Sequence, residues 1–312
     1  MVEVKAVTKE NYEQFWKEER KELNVSNSWV TEIQYIPEDC KQLFSYCRRL
    51  DCISELPDGL VTLSVRHASI KSLPVLPESL ECLDVSYTNI ASLPELPEGL
   101  IELLAYSVRL LTEVPKLPSS LEVFCTSRSA GSVVGISLPE LPKGLGKLEV
   151  NGCGLLYLPT LPSSLYFLSV SNNKLTSLPT LPEGLKDLQV NGNQLTTLPE
   201  LPESLSYIDA SCNKLLLLPP LPENLKTLNV SHNKLTSLPK LQEGIETLNV
   251  SHNELTKLPE LPSSIGNLYS NDTKLRVLPV LPEGLVGLEV AGNKLKLLPK
   301  LPEGLKDLVA ND

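Results

Sequence analysis

The chain has 312 residues and a formal net charge of −10, from 28 Lys and Arg against 38 Asp and Glu. That acid excess argues against non-specific attachment to nucleic acid or to an anionic membrane surface, both of which need clustered cations. Leucine fills about a fifth of the chain, well above its usual share, while 26 prolines accompany only 4 Phe, 2 Trp and 1 Met, which is not the interior of an ordinary enzyme.

In chain order, the N-terminal stretch MVEVKAVTKENYEQFWKEER lacks the apolar core of a signal peptide. The chain contains no run of about 18 apolar residues, so no transmembrane helix is expected. Asn11 to Leu23 predicts one helix, because Tyr12, Phe15 and Trp16 stand at i, i+3 and i+4 on one face and Thr8 or Asn11 can cap its start. This helix is expected to cover the open end of the first rung. A degenerate repeat begins at Trp16, with Leu23, Val25, Val30 and Ile33 in apolar slots, so residues 1–35 read as a helical cap and a weak first repeat.

Residues 36–312 then repeat. Units start at Ile36, Leu56, Leu76, Leu96, Leu117 and Leu141, and from there every 20 residues to an incomplete last unit at Leu301. The stretch 96–140 is irregular: the unit from Leu96 has 21 residues and the unit from Leu117 has 24. The extra length includes the small-residue run from Ser129 to Ile136, read as a surface loop. The pattern is LPxLPxxLxxLxVxxNxLxx. Its segment xLxVx alternates with period two and is a short strand, one per unit. Two prolines per return, such as Pro179 and Pro182, forbid a regular helix there and favour an extended, polyproline-like path. A single unit buries too little to stand alone, so the units must stack with their strands parallel and a continuous leucine core behind them. Asn173, Asn193, Asn213, Asn233, Asn253 and Asn293 share position 13, where the chain turns inward. There a buried amide is expected to satisfy backbone groups left unpaired by the bend.

The motif LPxLPxxLxxLxVxxNxLTxLP resembles the bacterial leucine-rich repeat effectors typified by YopM and the IpaH proteins, over residues 36 to 312. The resemblance implies a leucine-rich repeat horseshoe, mainly β, with a parallel concave sheet and one N-terminal capping helix where the family has a helical hairpin. It also implies delivery by a specialised bacterial secretion system into the host cytoplasm or nucleus, and action by binding host proteins. The alternative is the substrate-recognition half of an IpaH-like ubiquitin ligase whose catalytic domain is absent. A third class is a structural or cell-surface adhesive protein. The chain stops straight after a strand, so either it continues in its natural form or a further domain or partner covers that edge.

Catalytic chemistry finds little support in the residues. The ligases of this family carry a Cys-x-Asp motif in a separate helical domain, whereas Cys82-Leu83-Asp84 here lies on a repeat strand and is read as coincidence. Seven scattered cysteines include no CxxC pair, so neither a zinc finger nor a disulfide scaffold is expected, and a reducing compartment fits. His232, His252 and Asp272 share position 12 of consecutive units, but three groups in a row converge poorly on one metal ion and read as a polar rim. Neither a cofactor nor an enzymatic activity is expected.

Binding is instead read from positions 7, 9 and 11, which face away from the core. In the C-terminal half these are mostly small and polar, as in Gln189, Asn191, Asn229 and Ser231. The N-terminal half presents Phe44, Tyr46, Arg66, Leu104, Tyr106 and Val123, with Tyr87 at the margin; Phe167, Tyr207 and Tyr269 form a thinner second group. Aromatics and Arg are the types that anchor protein interfaces, so these ten residues are the candidate partner-binding set. Glu recurs at position 3 and Lys at position 14, which predicts an acidic edge before the strands and a partly basic one after them. No nucleic acid and no membrane insertion are expected.

Overall fold

Burying every second side chain at positions 7 to 11 suits the β conformation, in which neighbours point to opposite faces. In the computed structural model, which describes residues 4–26, 29–128 and 135–311, nearly every such segment is a short strand. The chain falls into two units that divide between Leu155 and Leu156.

The first unit contains β1 (Ala6–Val7), β2 (Trp16–Lys17), β3 (Glu22–Asn24), β4 (Glu32–Ile33), β5 (Gln42–Phe44) and β6 (Cys52–Ile53). It continues with β7 (Thr62–Ser64), β8 (Cys82–Asp84), β9 (Glu102–Tyr106), β10 (Val123–Ser127) and β11 (Lys147–Asn151). Its main sheet runs β2-β3-β5-β7-β8-β9-β10-β11, parallel throughout except for the β2–β3 pair, while β1, β4 and β6 pair on the return side. Val123 pairs with Glu102 and Lys147 with Val123, so the long repeats stay in register and their additional residues go into the returns. Of the inserted run, 129–134 lies outside the described residues. Gly135 and Ile136 are described; Ile136 is buried and its N–H donates to the Cys153 carbonyl at 3.0 Å.

The second unit holds β12 (Phe167–Ser169), β13 (Asp187–Gln189), β14 (Tyr207–Asp209), β15 (Thr227–Asn229), β16 (Thr247–Asn249), β17 (Asn267–Tyr269), β18 (Gly287–Glu289) and β19 (Asp307–Val309). All are parallel and each pairs with the next at a constant offset of one repeat, as in Leu188 opposite Ile208. The core behind them is the consensus itself: Leu185, Leu188, Val190 and Leu195 are fully buried, and their equivalents recur from rung to rung.

Between strands the returns are non-helical, as the two prolines require. The second proline has a further duty that the pattern alone does not disclose. The carbonyl of Pro182 accepts from the N–H of Leu185 at 3.0 Å, and Pro57, Pro77, Pro97, Pro202 and Pro222 do the same for the residue three places on. Each strand is therefore entered through a hydrogen-bonded turn.

The asparagines at position 13 form the expected ladder. Nδ2 of Asn233 donates to its own rung at Val230 (3.0 Å) and to the preceding rung at Ala210 (3.0 Å), while Oδ1 accepts from the N–H of Leu215 at 2.9 Å. Asn193, Asn213 and Asn253 repeat this set. Thr88, in the same slot, keeps only the bond to its own rung, at the Val85 carbonyl.

The expected N-terminal helix is not formed. Among the described residues there is no α-helix, and the segment consists of 3-10 turns at Tyr12–Phe15 and Glu18–Arg20 separated by β2. Trp16 is extended (φ −89°, ψ 137°), and β2 pairs antiparallel with β3, Trp16 opposite Leu23. The reason lies in the edge. A first parallel strand exposes a row of backbone donors and acceptors that a helix leaves unpaired and a strand satisfies. The hairpin closes at Lys21, which is left-handed (φ 49°), and Tyr12 packs edge-on against Tyr35 with ring centroids 5.1 Å apart. Leu23, Val25, Val30 and Ile33 are fully buried. No helix among the described residues is long and apolar enough to cross a membrane.

Position 12 is left-handed in nearly every rung, from His67 (φ 64°) and Tyr87 (φ 60°) to His252 (φ 55°), with Gly at 152, 192 and 292. A Cβ on Gly152 would lie 2.8 Å from the Arg128 carbonyl oxygen, whereas on Gly192 it would meet the movable Asn172 side chain. Gly192→Ala is therefore expected to cost about 1 kcal/mol, the left-handed penalty alone, and Gly152→Ala about 2 kcal/mol or more. Urea unfolding midpoints test this, and equal losses would show that the Arg128 backbone gives way.

Candidate protein-interaction surface

In the first unit the outward face is set by strand alternation: Leu103 and Ala105 are fully buried on β9, so Leu104 and Tyr106 turn outward and are only half-buried. Phe44 on β5 and Val123 on β10 face the same way. Leu104 and Val123 stand on adjacent strands and can share a contact. Phe44 does not join them. Along position 9 the register runs Phe44, Ser64, Asp84, Leu104, so two strands with short polar side chains separate the apolar ones, about 14 Å end to end.

Tyr46, Arg66 and Tyr87 lie at the edge where the chain leaves the strands. The Arg66 guanidinium sits over the Tyr87 ring at 5.1 Å, and His67 stacks on the same ring at 4.5 Å. Tyr106 is tied down: its hydroxyl donates to Glu149 at 3.0 Å, and burial, then Cys125 and Glu149, push its phenol well above the usual range. It is a fixed polar post on the face.

The second unit is different in kind. Phe167 and Tyr207 share position 7, with Asp187 between them in the register. Burial raises the Asp187 carboxyl above its ordinary value, although Gln189 donates to it at 3.0 Å. Tyr269 stands apart on β17, flanked by Asn249 and Glu289. The remaining outward positions form side-chain ladders, such as Asn271 donating to Glu289 at 2.7 Å.

Similarity to known proteins decides the family. A Leucine Rich Repeat family model matches residues 224–242 and 244–268. No curated protein gives a significant match by sequence. Among solved structures, YopM from Yersinia pestis, described as a leucine-rich effector protein, is 33% identical, with 95% of this chain and 90% of that one covered at a TM-score of 0.76. The chain belongs to the YopM-like family of bacterial leucine-rich repeat effectors. YopM from Yersinia enterocolitica agrees, at 31% identity over 91% of this chain and 73% of that one, with a TM-score of 0.75. The functional domain of InlJ from Listeria monocytogenes shares the fold alone, at 18% identity, 82% and 69% coverage and a TM-score of 0.57.

The cysteine and histidine candidates of this YopM-like chain lie elsewhere on the repeats. Cys82 is half-buried, and burial followed by the nearby Glu102 and Glu81 holds its thiol above the ordinary value, the wrong direction for a nucleophile. His232 and His252 stack face to face at 4.0 Å, and His252 Nδ1 is 3.5 Å from Asp272 Oδ2. Burial and the neighbouring His252 lower the His232 pKa, against a smaller opposing pull from Asp272. The column is a stack built on the left-handed turns, and no group of three potential metal ligands is brought together among the described residues.

Proposed function

We propose that this chain is a secreted bacterial effector, delivered into the host cytoplasm by a specialised secretion system, that binds a host protein on the concave face and scaffolds or occludes it. One observation carries the reading: Phe44, Leu104 and Val123 occupy outward positions where other rungs place Ser, Asn and Thr, so the core does not require them. Half-exposed apolar side chains on a rigid sheet lose little entropy when covered, which favours an interface. The similarity to the Yersinia pestis effector supports delivery and the class of partner.

The triple variant Phe44→Ser, Leu104→Asn, Val123→Thr installs residues that the same positions hold in other rungs, as at Ser64, Asn229 and Thr62. Its unfolding midpoint is expected to match the parent. Capture of its partner from host-cell lysate, quantified by mass spectrometry, is expected to fall at least tenfold. Unchanged capture would refute the concave-face assignment.

A further inference from the structure

The edge of the first unit where the chain leaves the strands carries a charge pattern opposite to that of the whole chain. The turns 46–50, 66–70, 86–90 and 106–111 hold Arg48, Arg49, Arg66 and Arg109 and no Asp or Glu. These are four of the seven arginines in a chain of net charge −10. The opposite edge, by contrast, exposes Glu38, Asp39, Asp58, Glu78 and Glu98. None of the four arginines forms an ion pair among the described residues, although surface lysines such as Lys116 and Lys226 do. Two of them sit over aromatic rings: Arg49 over Trp29 at 4.0 Å and Arg66 over Tyr87 at 5.1 Å. Arg66 Nε is buried without a hydrogen-bond partner, and Trp29, Tyr46 and Tyr87 are among the exposed large side chains.

A guanidinium stacked on a ring keeps its donor fork free and oriented, which suits bidentate bonding to a carboxylate. From the rung of Arg49 to the rung of Arg109 is three strand spacings, about 14 Å, a span that about four extended residues cover. We propose that this edge binds an acidic peptide segment in extended conformation, its carboxylates on Arg48, Arg49 and Arg66 and its apolar atoms against Trp29, Tyr46 and Tyr87. The inference rests on the reading of the chain as a binding module and adds the chemistry of one partner element. A short segment sees only this edge, because charges more than about 8 Å away are screened at physiological salt. A nucleic acid or an anionic bilayer extends past that range and meets the acidic edge as well.

Fluorescence anisotropy with a labelled ten-residue Glu-Ser repeat peptide, against a Gln-Ser peptide with the same label, tests the proposal. The acidic peptide is expected to bind at least tenfold tighter, and less tightly as salt rises. Arg48→Gln with Arg49→Gln, both exposed residues, is expected to remove most of that preference, and adding Arg66→Gln the rest. Lys174→Gln with Lys234→Gln in the second unit is expected to leave it intact. Equal affinity for the two peptides, or a preference that survives the arginine variants, overturns the inference. So does arginine-dependent binding of a ten-nucleotide single-stranded DNA or of phosphatidylserine vesicles that exceeds binding of the peptide. A chain that captures its lysate partner normally but ignores the acidic peptide sinks this inference and leaves the binding-module reading standing.

Discussion

Replacing Asn233 with Ala is expected to destabilise the protein by about 3 kcal/mol, a large loss for removing one polar side chain. Its Oδ1 is the acceptor for the buried N–H of Leu215, and its Nδ2 bridges the carbonyls of Ala210 and Val230. Those carbonyls also receive the amides of Asn213 and Asn253, so each keeps one donor after the substitution. The Leu215 N–H has no such reserve, and a buried orphan donor accounts for most of the cost. Asn233→Thr should lose less than Asn233→Ala, because Thr88 already fills the slot with one bond to its own rung. Asn224→Ala, an exposed site whose amide donates once to Glu203, should stay within about 0.5 kcal/mol of the parent. Urea unfolding supplies the energies, and faster hydrogen exchange at Leu215 identifies the cause. A loss at Asn233 no greater than that at Asn224 would remove the ladder as a source of stability.

The ladder is legible in the sequence because its cause repeats: from Leu161 onward every complete unit except the one with Thr273 has an Asn just after the strand. The rung spacing is legible for the same reason, and the irregular repeats of the first unit keep the strand register that their leucines indicate. The N-terminal segment misleads because it does not repeat. Tyr12, Phe15 and Trp16 fit a helical face locally, but the backbone needs of the β3 edge outweigh a short amphipathic pattern, and no sequence period reports an edge. Position 12 is legible in part. His232, His252 and Asp272 draw attention as a column, while the signal for the shared left-handed turn lies in Gly152, Asn172, Gly192 and Gly292 of the same slot.

The candidate surface divides along the same line. Outward positions follow from alternation, so Phe44, Leu104 and Val123 are found by counting. Adjacency is not: the register separates Phe44 from Leu104, and the Tyr106 hydroxyl reaches two strands away to Glu149. The arginine edge is legible in part: Arg49 and Arg109 stand at position 14, the slot where lysine recurs, whereas Arg48 and Arg66 stand at positions 13 and 11. The pairing of Arg49 with Trp29 and of Arg66 with Tyr87 comes from the fold.

Phe124→Ala is expected to cost about 4 kcal/mol, more than any other single substitution considered. Among the described residues Phe124 is the largest fully buried side chain, and it takes position 8 on β10, where the paired strands carry Leu103 and Leu148. The irregular repeats surround it, and the larger ring fills space that a leucine fills in regular rungs. In a stack whose rungs touch only their neighbours, a cavity at one rung weakens two interfaces, those of β10 with β9 and with β11. Phe124→Leu restores the residue of regular rungs and removes less volume, so it should cost about 1.5 kcal/mol or less. If Leu costs as much as Ala, the site needs the ring itself and not its volume. A loss for Phe124→Ala below about 1 kcal/mol would mean that the irregular rungs collapse onto the gap.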